Sequence, residues 1–250
     1  MTSEPDKRDA AAWAQPVDRL RVSEAAPGAR NINVSGRRQT SPIQGFGRMW
    51  QKTYRAPLEG VDLTPAQVVE IWKAHFPEFW PKGNRFFAPL AGIAPGEVAA
   101  LDLSMPGGLK LSTGVLVLYA DDESFTLMTP QGHMFAGWIT NSAFERDGTT
   151  IVQAQVLMRA NDPLYELGLM LGGHRQEDKF WHQTIETLAT HLGSPGREHT
   201  TSVVCVDKRR QWRRAGNLRH NAAIRTTLQT ITAPLRAVGR RLRRRPERSG

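Results

Sequence analysis

A chain of 250 residues accommodates one large domain or two small ones. Its composition, 40% hydrophobic and 23% charged, is that of a soluble globular protein. Its longest apolar run, Gly114 to Ala120, is seven residues, well short of the roughly 18–20 a membrane span needs. Met1 to Pro16 is polar and lacks the apolar stretch of a secretory leader. The single cysteine, Cys205, excludes an intrachain disulfide and a multi-cysteine metal site, and suits a reducing cytoplasm.

The formal charge of +9 is unevenly placed. Residues 1–40 carry seven Lys/Arg against five Asp/Glu, and residues 41–195 carry eleven against sixteen. Residues 196–250 carry fifteen against three, so the C-terminal segment supplies the basic excess and the middle of the chain is mildly acidic.

In chain order, residues 1–40 are rich in Ala, Ser, Pro and Arg without periodicity and read as a disordered lead-in. The Asn33-Val34-Ser35 sequon has no meaning without secretion. A domain over 44–195 follows, with a strand at Arg48 to Ala56 that Pro57 stops. Thr64-Pro65-Ala66-Gln67 starts a helix, with Thr as N-cap, Pro at the first helical position and Gln at the third. Val68, Ile71, Trp72, His75, Phe76 and Phe79 form its apolar face. A short strand at Arg85 to Pro89 leads into five more, over 97–105, 109–120, 124–129, 133–146 and 149–160, separated by turn-forming residues. Turns this short make neighbours antiparallel. Asn161-Asp162-Pro163 starts a long helix to about Leu192 that Gly172-Gly173 bends or splits. Residues 196–250 form a basic, partly amphipathic helical tail.

Turn chemistry predicts the register. A two-residue turn at Asp147-Gly148 sets Ala143 opposite Val152, Asn141 opposite Ala154, Ile139 opposite Val156 and Gly137 opposite Met158. A turn at Gln131-Gly132 sets Phe135 opposite Met128, and one at Asp122-Glu123 sets Tyr119 opposite Thr126 and Val117 opposite Met128. The covered face of the 109–120 strand is then Leu111, Thr113, Val115, Val117 and Tyr119, with Lys110 and Ser112 on the exposed side. A curved sheet gripping one long helix leaves room for a cavity, and Thr113, Tyr119, Thr126 and Asn141 are polar groups able to orient a guest in it. The alternative is a packed core in which these groups bond one another or buried water.

Strand, helical segment, antiparallel meander and long C-terminal helix, with stretches such as FTLMTPQGHMFAGWIT (125–140) and NDPLYELGLMLGGHRQEDKFWHQTIETLATHL (161–192), resemble the START/SRPBCC helix-grip superfamily over about 46–193. The likeness is to a bacterial branch of that group, which includes lipid-transfer START domains, birch-pollen allergen-like proteins and polyketide cyclases. It implies an α+β helix-grip fold of about six to seven strands wrapped around the C-terminal helix. It also implies binding of a lipid or other bulky hydrophobic molecule, with no metal or organic cofactor. The superfamily shares no catalytic motif, so no functional residue carries over from it.

Nucleophile-elbow, zincin, P-loop and dinucleotide motifs are absent from the sequence. His174 and His182, eight apart on the predicted helix, project about 80° apart, which is poor for a shared metal. The expected ligand pocket comprises Trp72, Phe76, Thr113, Tyr119, Met128, Asn141, Met158 and Trp181. Aromatic residues on helical stripes serve equally well as plain core. If the protein is instead a polyketide cyclase/aromatase-like enzyme acting in the same cavity, His174 and Tyr119 are the candidate proton-transfer groups.

In the tail, Ile224, Leu228, Ile231, Leu235, Val238 and Leu242 alternate at four- and three-residue steps amid arginines that include Arg240 and Arg241. This is the pattern of a helix lying on an anionic membrane surface, here the cytoplasmic face of the inner membrane. Pro234 argues for a break or kink. An arginine-rich arm for nucleic acid lacks a need for the apolar stripe, and a disordered tail in an Arg-biased chain is the plain alternative. Oligomeric state is not read from the sequence.

Overall fold

The computed structural model describes residues 8–22, 27–105, 108, 110–196 and 199–243, with side chains from 10 to 232 within those ranges. After a helical turn, α1 (Arg8–Ala11), the first strand is β1 (Met49–Leu58). It runs through Pro57, which pairs with Ile151 on one side, while the neighbour on the other side reaches only Arg55 and leaves that edge open, where proline is tolerated in a strand. Helix α2 (Pro65–His75) has the predicted capping box: Thr64 Oγ1 accepts from the Gln67 N–H at 3.3 Å, and Gln67 Oε1 from the Thr64 N–H at 2.9 Å. A 3-10 turn over Phe76–Phe79 follows.

The meander comprises β2 (Arg85–Phe87), β3 (Val98–Ser104), β4 (Lys110–Ala120), β5 (Ser124–Met128), β6 (Phe135–Arg146) and β7 (Thr149–Ala160). Asp162 caps α3 (Pro163–Gly168), its Oδ1 accepting from the N–H groups of Leu164 and Tyr165. A π-turn over Leu169–Gly173 then separates α3 from α4 (His174–His191). The break falls where two glycines stand, and Gly172 has φ of 119°, which a side chain would disfavour. Strand β8 (Thr200–Asp207), a 3-10 segment (Trp212–His220) and helix α5 (Ala222–Arg243) follow. Helix α5 continues through Pro234.

The eight strands of the described residues form one antiparallel sheet in the order β2-β3-β4-β5-β6-β7-β1-β8, and α2 and α4 pack on its inner face. This is the α+β helix-grip architecture, with eight strands in place of the expected six to seven. The additional strand is β8, which pairs with β1 and places Cys205 opposite Trp50. The folded unit therefore extends past residue 195. Thr200–Asp207 is exposed, and an edge strand that buries little shows little hydrophobic alternation.

Residues 1–40 also differ from expectation, because the described part is packed. Leu20 and Val34 are buried with Val98 and Leu116 on the sheet's outer face. Asn33 Nδ2 donates to Ser112 O at 2.8 Å and Thr226 Oγ1 at 3.1 Å. Ser112, expected to be exposed, is therefore buried beneath α5. An irregular segment anchored by isolated apolar residues carries no period to betray its burial.

The β6–β7 register is as predicted, pair for pair. The β5–β6 register is shifted by three residues: Met128 lies opposite Trp138, because the connection spans 129–134 rather than two residues. A bulge between Val117 and Tyr119 shifts the β4–β5 ladder. Both changes reverse faces: Phe125 and Leu127 point into the core, while Thr126 and Met128 turn outward.

Candidate functional site

The two faces of the sheet sort the predicted pocket. Trp72, Phe76, Thr113, Asn141, Met158 and Trp181 meet on the inner side, between the sheet and helices α2 and α4. Tyr119 does not. The bulge turns it to the outer face, where its ring lies 4.9 Å from that of Trp13 and its hydroxyl donates to Asp121. Met128 is lost from the pocket with the register shift.

At one end the inner face is closed by aromatics: Trp72 and Phe76 pack edge-on against Phe125, with ring centroids 5.8 and 5.2 Å apart. The middle of the sheet is less tightly covered. Val115, Ile139 and Val156 retain 6–9% exposure although each lies on an inner strand, whereas Tyr54, Ala154 and Phe125 retain 0–1%. Leu103, Phe135, Trp80 and Trp181 are among the side chains that pack against this core while remaining partly exposed, and so give it an apolar margin at the surface.

Several polar atoms here have no hydrogen-bond partner among the described residues: both Nδ2 and Oδ1 of Asn141, Thr113 Oγ1 and the indole Nε1 of Trp72 and Trp80. Asn141 sits between Phe125 and Ala154, so its immediate cross-strand neighbours are apolar. Buried polar groups are nearly always satisfied, by protein, water or ligand.

Along the β1–α4 seam runs a charged network that inspection of the sequence missed. Lys52, on the inner face of β1 opposite Val156, is buried. Its Nζ lies 2.8 Å from Glu177 Oε2 and 2.7 Å from Asp178 Oδ1. Tyr54 Oη donates to the same Asp178 oxygen at 2.7 Å. Burial, opposed by Lys52 and reinforced by Asp178, pushes the Glu177 carboxyl up to about 7. Burial also acts to raise Asp178, but hydrogen bonds from Lys52 and Tyr54 outweigh it and hold that carboxyl below the usual range. The Tyr54 hydroxyl is pushed strongly up, by burial first and then by Glu177.

The signal for this network lay in two patterns. Trp50, Lys52, Tyr54 and Ala56 alternate on one strand face, and Glu177 stands one helical turn before Trp181 on the apolar stripe of α4. A buried ion pair is invisible to a search for apolar residues.

His174 stands at the edge of this seam, partly buried. Its ring is 5.1 Å from that of Trp50 and its Nδ1 is 4.0 Å from Glu177 Oε2. Burial, and then the charge of Lys52, lower its pKa. A cleft of about 380 Å³ opens beside it, lined by Leu169, Met170, Leu171, Gly172, His174 and Arg175. A larger recess of about 560 Å³ lies on the opposite face of the sheet, bounded by Arg19, Leu20, Val98 and Leu116. It contains none of the inner-face polar or charged groups. Among the described residues, no group of three or more His, Cys, Asp or Glu side chains is placed to hold a metal.

No protein-family model matches the chain, and no curated protein aligns with it significantly. Solved structures similar to it include a START superfamily protein from Mycobacterium smegmatis, with 18% identity and a TM-score of 0.37, covering 59% of this chain and 98% of that one. The di-domain ARO/CYC StfQ from the steffimycin biosynthetic pathway is 10% identical with a TM-score of 0.46, over 58% of this chain and 51% of that one. Major latex-like protein 151 from Panax ginseng is 13% identical with a TM-score of 0.40, over 58% and 99%.

Of the predicted tail, Ile224, Leu228 and Ile231 are exposed, whereas Ala222 and Thr226 are buried against β4. The side chains of Leu235, Arg240 and Arg241 lie outside the described residues. Among the described residues, no helix is long and apolar enough to cross a membrane.

Proposed function

We propose that this protein binds a bulky hydrophobic small molecule or lipid between the sheet and α4, as a carrier or sensor. In this reading it works at the cytoplasmic face of an anionic membrane, held there by its basic C-terminal segment. The supporting observation is the set of unpartnered polar atoms of Asn141, Thr113 and Trp72 on an otherwise apolar inner face. An empty, fully apolar core would have no use for them, and a guest bearing an oxygen function gives them partners. The partly exposed margin of Leu103, Phe135, Trp80 and Trp181 provides the side of entry.

Native mass spectrometry of the purified chain, followed by titration with a fluorescent hydrophobe, tests this reading. Co-purified hydrophobic adducts or saturable uptake are expected. Bare protein with no uptake overturns it.

One observation favours an enzyme of the cyclase type acting in the same space. Glu177, with its carboxyl at about 7 and Oε1 unbonded, is suited to move a proton near neutral pH, a role that Tyr119 on the outer face cannot fill. In that case Glu177→Gln abolishes turnover while ligand uptake persists.

A further inference from the structure

The turn between α3 and α4 exposes side chains that a water-soluble surface ordinarily covers. Leu164, Leu167, Met170 and Leu171 are 47–78% exposed, and Trp212 of the neighbouring 3-10 segment is 74% exposed. Tyr165 and Leu169 of the same stretch face inward and are buried, so the exposed set is the outer side of a helix whose inner side is already used. The two segments are tied together: Arg210 Nε donates to Glu166 Oε1 at 2.9 Å, and Asn217 Nδ2 donates to Asn161 O at 2.8 Å. Helix α5 joins the same region, since its Ala223 N–H donates to Tyr165 Oη at 3.0 Å.

Cations surround this apolar surface. Trp212 stands within Lys208-Arg209-Arg210-Gln211-Trp212-Arg213-Arg214, and Arg175 follows the turn. The acidic groups nearby are paired: Glu166 with Arg210, Asp207 with the buried Arg159 and the exposed Arg209, and Glu177 and Asp178 with Lys52, which leaves Lys208, Arg213 and Arg175 as exposed cations with no acidic partner among the described residues. The outward face is thus apolar at its centre and positive around it.

We infer that this surface docks on an anionic phospholipid bilayer. Leu167, Met170, Leu171 and Trp212 enter the interfacial layer, and the arginines meet lipid phosphates. Charge complementarity selects the partner. Trp212 is the one ring in this set that could stack on a base, whereas Leu167, Met170 and Leu171 gain only from an acyl boundary, which sets a bilayer above single-stranded RNA. The docking turn leads directly into His174, at the seam of the grip, so docking brings the margin of the interior to the membrane. The inference rests on the membrane-surface part of the proposed function and adds a contact separate from the α5 stripe.

The test is co-sedimentation of the full chain with vesicles of phosphatidylcholine alone and of equimolar phosphatidylcholine and phosphatidylglycerol. Binding to the anionic vesicles only, weakened by salt, is expected. Met170→Asp/Leu171→Asp, which alters exposed positions and leaves the melting temperature unchanged, is expected to reduce that binding about tenfold or more. If the intact chain binds neither vesicle, this inference and the membrane-surface reading both fall. Should the double variant bind like wild type while Leu228→Asp/Ile231→Asp does not, the α5 stripe alone docks and the turn has no such role. Loss of RNA binding by the turn variant in fluorescence anisotropy, with vesicle binding unchanged, reassigns the surface to nucleic acid and also overturns the inference.

Discussion

The carboxamide of Asn141 is buried between Phe125 and Ala154 with neither end bonded, an arrangement costing roughly 1–3 kcal/mol in a closed core. Removing the amide should therefore help the fold and harm the function. Asn141→Leu is expected to raise the unfolding free energy by about 1 kcal/mol or more in urea titration, and to weaken uptake of a fluorescent hydrophobe. If the variant is less stable, the amide has a structural partner and the argument for a guest weakens. Lys52 contrasts with Asn141: it is equally buried but fully committed to Glu177 and Asp178. Lys52→Met takes the cation from both carboxyl groups, so that Asp178 loses its ion pair and Glu177, no longer held down by Lys52, takes up a proton; the change should destabilise by roughly 3 kcal/mol in the same titration at neutral pH.

At the scale of elements, the outer face of β4 is covered by two segments distant in sequence, the lead-in and α5. Asn33 joins them, donating to Ser112 O and Thr226 Oγ1 while Oδ1 accepts from Arg225 Nε at 3.1 Å. Asn33→Ala strands these buried partners and is expected to cost roughly 1–3 kcal/mol. Because the lead-in and α5 both lean on it, faster amide exchange in 30–36 and at the start of α5 should accompany the loss, with the β6–β7 ladder unchanged. Gly114 is a second point of closure, since a Cβ there would run into Ala99 O and the Val34 side chain. These contacts could not be read from the chain. Burial of both faces makes β4 a nearly continuous apolar run, and such a run does not say what covers its second side. The β6–β7 pairing, by contrast, was legible because a two-residue Asp-Gly turn leaves no freedom of register. The longer 129–134 connection does leave freedom, and Met128 was misplaced for that reason.

For the molecule as a whole, two buried titratable groups set opposing pH dependences. His133 is neutral in the fold: burial lowers its pKa to about 4, and its Nδ1 accepts a hydrogen bond from the Phe135 N–H, as only the unprotonated nitrogen can. Its folded value lies below the ordinary 6.5, so its contribution is complete above pH 6.5 and is lost as the pH falls towards 4, by up to roughly 3 kcal/mol. Glu177 behaves oppositely: raised from 4.5 to about 7, it favours the fold below 4.5 and loses that contribution as the pH rises through 7. Thermal melts from pH 4 to pH 8 should thus show His133→Gln less sensitive to acid than wild type, and Glu177→Gln less sensitive to the rise from pH 5 to pH 8. Parallel profiles for all three proteins would show that neither group titrates in this way.

The sequence by itself determined the order of elements, the capped starts of α2 and α3, the glycine break before α4, the tight hairpins and the separation of an acidic middle from a basic end. Each of these is local: propensity, turn chemistry and charge act over a few residues and need no partner. Tertiary structure alone decided which face of β4 and β5 each residue occupies, because one bulge at Leu118 and one long loop reverse the alternation. It also decided that Tyr119 leaves the site, that Lys52 and Glu177 enter it, and that β8 and the lead-in belong to the folded unit. Those outcomes depend on contacts between residues far apart in the chain, where burial can make a lysine part of the interior and an unpatterned segment part of the fold.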